Sequence, residues 1–138
     1  MIDYAALYAS LYSRCATHAD GAAVRALLGG ASSLFSYHEM GDLAGRALPY
    51  LVWEPGATAG AGGDQRVIFA RWTAYAAPNK GPRPLHQIAA ALETLYGYTN
   101  RLAISGGELV SNGPGQVFFS EALGLYGLIY VCSFLQRG

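Results

Sequence analysis

The sequence predicts an α+β fold, a mainly antiparallel sheet with helices packed on one face, in a single domain spanning residues 1–138. Three observations predict it. Residues 3–17 and 85–98 repeat apolar side chains with the period of a helix. Residues 47–54 and 66–76 alternate with the period of a strand. The last segment, Leu123–Leu135 (LGLYGLIYVCSFL), carries no charge and is apolar on both of its period-two faces. Its 13 residues fall short of the roughly 20 that a membrane-spanning helix needs. It therefore reads as a strand that expects cover on both sides, some of it from another subunit.

The elements follow in order. In DYAALYASLYSRCAT, Asp3 is a candidate N-cap, and Tyr4, Leu7, Tyr8, Leu11 and Cys15 form a core-facing stripe. DGAAVRALL, residues 20–28, predicts a short second helix capped by Asp20 and stopped by Gly29-Gly30. Phe35 to Tyr37 is a short strand or turn. In ALPYLVWE, Pro49 has no N–H and belongs at a strand start or edge; Tyr50, Val52 and Glu54 then oppose Leu51 and Trp53. Residues 55–65, rich in Gly and Ala, predict a flexible connection. In RVIFARWTAYA, Ile68, Ala70, Trp72 and Ala74 face one way, and Val67, Phe69, Arg71, Thr73 and Tyr75 the other. PNKGPRP breaks the chain before a helix from Leu85 to Tyr98, with Leu85, Ile88, Ala89, Leu92 and Tyr96 as its stripe. Leu102–Ile104 and Leu109-Val110 predict short strands, and Asn112-Gly113-Pro114-Gly115 a turn.

Composition limits the partners. The net charge is zero, which argues against a general nucleic-acid binder. Only 13% of residues are charged, a sparse coat for a monomer, which favours an oligomer. The charges are also sorted along the chain. Residues 1–65 hold Asp3, Asp20, Glu39, Asp42, Glu54 and Asp64 against Arg14, Arg25 and Arg46. Residues 66–138 hold Glu93, Glu108 and Glu121 against Arg66, Arg71, Lys80, Arg83, Arg101 and Arg137. A subunit polarised in this way suits head-to-tail assembly, although chance is the plainer explanation. The N-terminus lacks the positive region of a signal peptide, so a cytoplasmic setting with reduced thiols is expected.

The usual chemical constellations do not assemble. Cys15 and His18 lie a helical turn apart, but two ligands make no metal site. His38-Glu39 has no serine in a nucleophile elbow, and His86 reads as a surface residue. GATAGAGG lacks the Lys-Ser/Thr of a phosphate loop, and Asp64 sits where a phosphate would. No catalytic residue, cofactor or metal is expected, and a structural role is favoured over an enzymatic one. Tyr126, Leu128, Tyr130 and Phe134 share a face of the last strand. With Arg71 and Tyr75 they are the candidate subunit or partner contacts, because tyrosine is enriched at interfaces; packing in the core explains the tyrosines equally well. Asp64, Lys80 and Arg83 are candidate loop contacts, with a solvated loop tip as the plainer reading of the two bases.

The order of segments resembles the tail-terminator (tail-completion) proteins of long-tailed bacteriophages and gene transfer agents. The likeness rests on YAALYASLYSR and VRALLGG, then ALPYLVWE with Leu48-Pro49-Tyr50 entering a strand. RVIFARWTAYA, HQIAAALETLYG, LAISGGELV and the final apolar strand complete it, over residues 4–135. The resemblance implies a homo-hexameric ring at the head-proximal end of the tail. Such a ring stops tail-tube polymerisation and docks the head connector or stopper protein, and DNA passes through its lumen without sequence recognition. It implies a virion protein of the head–tail neck, assembled in the host cytoplasm, with no membrane partner. The glycine-rich 55–65 stretch departs from the family's texture. A head-completion or stopper neck protein is the alternative, and a small-ligand-binding or enzymatic α+β domain a more distant one.

Overall fold

The computed structural model describes residues 4–36, 46–60, 65–96 and 107–137. Within them it is the expected α+β fold: three α-helices and a six-stranded sheet. The helices are α1 (Tyr4–Ala16), α2 (Ala22–Ala26) and α3 (Arg83–Tyr96). The strands are β1 (Leu34–Ser36), β2 (Tyr50–Gly60), β3 (Gln65–Ala76), β4 (Gly107–Pro114), β5 (Phe118–Ser120) and β6 (Leu125–Arg137). Their order is β1-β2-β3-β6-β4, with β5 also on β6, and only β1 and β2 run parallel.

All three helices contribute to one core on one face of the sheet. Leu11 and Cys15 of α1, Val24 of α2, and Leu85, Ile88, Leu92, Leu95 and Tyr96 of α3 are buried there. They meet Leu51 and Trp53 of β2, Ala70, Trp72, Ala74 and Ala76 of β3, and Leu128, Tyr130 and Cys132 of β6. Each fully buried Leu or Ile contributes roughly 1.5–3 kcal/mol. The small residues of β3 leave room for the large ones. Tyr12 stacks on Trp72 with ring centroids 6.0 Å apart, and Trp53 lies 4.8 Å from Trp72. Tyr96 closes the helix layer, its hydroxyl donating to the Leu11 carbonyl at 2.6 Å.

The turn after α1 needs its glycine. Gly21 is buried against the carbonyls of Arg14 and Cys15, where any Cβ would collide with backbone. Arg25 reaches back across this turn and donates to the Cys15 carbonyl at 2.8 Å and the His18 carbonyl at 2.9 Å. The first of these satisfies an acceptor the end of α1 leaves open, and the second joins the Gly21 amide on the His18 carbonyl.

Several expectations are corrected. Asp20 does not cap α2, whose N-cap is Gly21; its carboxylate is held by Arg14 at 2.5 Å instead. The glycine-rich stretch from Pro55 to Gly60 is strand, because pairing with β3 supplies what intrinsic propensity withholds. Pro55 fits there because β1 covers β2 only over Leu51–Trp53, and a bulge follows between Pro55 and Thr58. Asn112-Gly113-Pro114 is likewise the end of β4, and the chain runs on along β6 into β5, turning only at residues 121–124. Arg83 opens α3 instead of sitting on a loop, while Lys80 lies exposed in the short 3-10 turn Pro78–Lys80. Asp3, Asp64 and Leu102–Ile104 lie outside the described residues.

Candidate assembly surface

Strand alternation sends the remaining side chains to the opposite face, which no described helix covers. The face is ordered in rows across the strands. One row is aromatic: Tyr50 lies 5.4 Å from Tyr75, and Tyr75 meets Phe118 edge-on at 6.3 Å, while Phe35, in register with Val52 of the next row, reaches Tyr50 diagonally at 5.6 Å. Gly127 stands between Tyr75 and Phe118 in register. A Cβ at Gly127 would run into the Phe118 ring, so the missing side chain is what lets the two rings meet across β6. The Arg46 guanidinium lies 3.6 Å above the Phe35 ring and caps this aromatic cluster.

The next row is small and partly apolar: Val52 and Thr73 are buried, and Ile129 is half-buried. Beyond it, Glu54 and Arg71 sit opposite each other and pair at 2.6 Å, next to Val131, which is 36% exposed. The surface is thus an aromatic ridge beside an ion pair and an open valine. Burial raises the Tyr75 hydroxyl above its ordinary 10.0, and the Glu54 carboxylate adds to the shift. Tyr75 is therefore neutral at pH 7 and presents a hydrogen-bonding tip on an apolar ring.

The sequence-stated contacts divide between the two faces. Arg71 and Tyr75 lie on the helix-free face, as strand alternation predicts. Leu128 and Tyr130 do not: they are 1% and 0% exposed under the helices, so they belong to the subunit's own core and are closed to a neighbour. Tyr126 is half-buried at the edge of that core, in edge-on contact with Phe119 at 5.3 Å. Phe134 occupies the same strand phase in β6 as these residues, opposite Ile68. The residues that sequence reasoning missed are Phe35, Tyr50, Phe118 and Val131. A signal for two of them was present: pairing Tyr75 with the glycine of LYGLIY places an aromatic strand end beside an empty site.

Chemistry elsewhere is sparse. Burial pushes the Cys15 thiol up to about 12 despite the opposing pull of Arg25, and burial raises Cys132 as well. Neither is a thiolate at neutral pH. Exposed His18 accepts a hydrogen bond at Nδ1 from the Asp20 amide, and among the described residues no group of three metal-ligating side chains forms. His86 is exposed on α3, and His38 lies outside the described residues. A groove of about 510 Å³ lies between α1, α2 and residues 30–34, lined by Tyr12, Leu28, Leu34 and Arg25 among others. Arg25 already serves the end of α1 there. Among the described residues no helix is long and apolar enough to cross a membrane.

No protein-family model matches the chain, and no curated protein matches it in sequence. Solved structures do match. A chain from the virion of a native gene transfer agent (GTA) particle superposes with a TM-score of 0.66 at 20% identity, covering 99% of this chain and 100% of that one. A second solved chain superposes with a TM-score of 0.58 at 15% identity, covering 97% of this chain and 92% of that one. Over almost its whole length, then, this chain is similar in fold to a chain of a gene transfer agent virion.

Proposed function

We propose that this chain is a structural virion protein that forms a ring at the head-proximal end of a phage-type tail. The ring ends tail-tube polymerisation and gives the head connector a docking surface. The observation that carries the reading is the end-to-end fold likeness to a chain of a gene transfer agent virion, with neither chain extending beyond the other by a domain. The resemblance of segment order to tail terminators points the same way and supplies the expected hexamer. DNA passes through such a ring without sequence readout, consistent with a chain of zero net charge.

The helix-free face supports a partner-binding role. Val131, Arg71 and Tyr75 offer apolar area, a charge and a neutral phenol on one rigid sheet. Lys80 and Arg83, exposed around the start of α3, are further contacts for tube or connector. Electron microscopy of particles lacking this protein tests the role. Overlong tails fit a terminator, whereas tails of normal length on heads that leak DNA would make it a stopper instead.

A further inference from the structure

The sheet has two tiers, and among the described residues only one has matched open edges. In the first tier, β1 flanks β2 at Leu51–Trp53 and β5 flanks β6 at Leu125–Gly127. These outer strands are three residues each and lie on different rows of the sheet. In the second tier, β2 continues from Glu54 to Gly60 with no strand outside it among the described residues. At the opposite edge β4 flanks β6, again with no described strand beyond it.

These two long edges share the same rows. Gly60 aligns through Arg66 and Gln136 with Gly107, Ala59 through Val67 and Leu135 with Glu108, and Thr58 through Ile68 and Phe134 with Leu109. Pro55 aligns through Ala70 and Cys132 with Asn112. The bulge in β2 and the bulge in β4 fall at this same level, so both edges bend together. Successive antiparallel pairings also leave β2 and β4 antiparallel to each other.

We propose that β4 of one copy adds to the outer edge of β2, residues 54–60, in the next copy, so that the ring closes through a continuous sheet. The inference rests on the ring reading above and names its joint. Three features support a second copy as the occupant. The directions are already right for antiparallel addition without turning the neighbour over. The edges lie on the same rows, so repeating the step involves no slide along the strands, as a closed ring requires and a helical filament does not. Neither segment, EPGATAG nor GELVSNGP, carries the lysine or arginine that commonly blunts an exposed edge. Pro55 and Pro114 cannot donate, which bounds the new pairing at one end.

The test mixes Ala59→Cys protein with Glu108→Cys protein, and Ala57→Cys with Glu108→Cys for a register two residues away, under mild oxidation in the presence of tail tubes. Amide hydrogen exchange of the unmodified protein, free and in rings, runs beside it. The proposal expects a disulfide-linked dimer from a mixed pair but not from either variant alone, because each copy carries one introduced thiol. It also expects amides in 56–60 and 107–113 to exchange about tenfold more slowly, or slower still, in the ring. Rings that form without cross-links, and whose edge amides exchange as in the free protein, overturn the edge joint and leave the ring reading intact. No ring of any kind on tail tubes removes the ring reading, and the joint with it.

Discussion

Tyr96 carries a hydroxyl into the apolar core and donates it to the Leu11 carbonyl 2.6 Å away. Tyr96→Phe removes that buried bond while the Leu11 carbonyl keeps its place in the α1 ladder, and the expected loss is about 1 kcal/mol in urea denaturation. Cys15 illustrates a second kind of constraint. Burial raises its thiol from 9.0 to about 12, so the folded protein favours the neutral form more than the unfolded chain does. This contribution is complete below the unfolded value near 9.0 and is lost progressively as pH rises from there towards 12. Denaturation midpoints should therefore fall between pH 9 and pH 11, and Cys15→Ala should flatten that decline. Gly127 tests packing directly. Gly127→Val drives a side chain into the Phe118 ring, and overpacking of this kind costs about 1–3 kcal/mol.

At the scale of elements, the strands show where a single sequence is informative. The alternation in 47–54 and 66–76 puts Leu51, Trp53, Ala70, Trp72 and Ala74 on the covered face and Tyr50, Val52, Thr73 and Tyr75 on the other, and the stripe Leu85, Ile88, Ala89, Leu92 and Tyr96 lies in the buried face of α3, which Leu95 joins. The phase of β6 was not legible in this way, because both its faces are apolar. The decision comes from its neighbour: register places Tyr130 beside Trp72 and Leu128 beside Ala74, under the helices. The extent of β2 and β4 was hidden for another reason. Gly-Ala-Thr-Ala-Gly and Asn-Gly-Pro have the composition of loops, and only cross-strand pairing holds them extended. Of the candidate assembly surface, Arg71 and Tyr75 were visible, whereas the aromatic cluster depends on residues distant in sequence. Val131→Asp separates surface from core. Its stability should stay within about 0.5 kcal/mol of the parent, while binding to tube or connector, measured by co-sedimentation, should be lost. Trp72→Ala, on the covered face, should instead cost about 3–5 kcal/mol.

At the scale of the molecule, the sheet divides the work. One face is spent on the subunit's own core, where the aromatic rings of α1, β2 and β3 pack together. On our proposal the other face and the long edges of β2 and β4 serve assembly. That economy suits a protein whose task is to be a repeated part. The central claim is that copies of this chain cap a growing tube. Its most direct measurement is electron microscopy of preformed tail tubes mixed with the purified protein and then offered more tube subunits. The account predicts a ring on one end of each tube and no further elongation from that end. Tubes that stay bare and keep lengthening at both ends would contradict it.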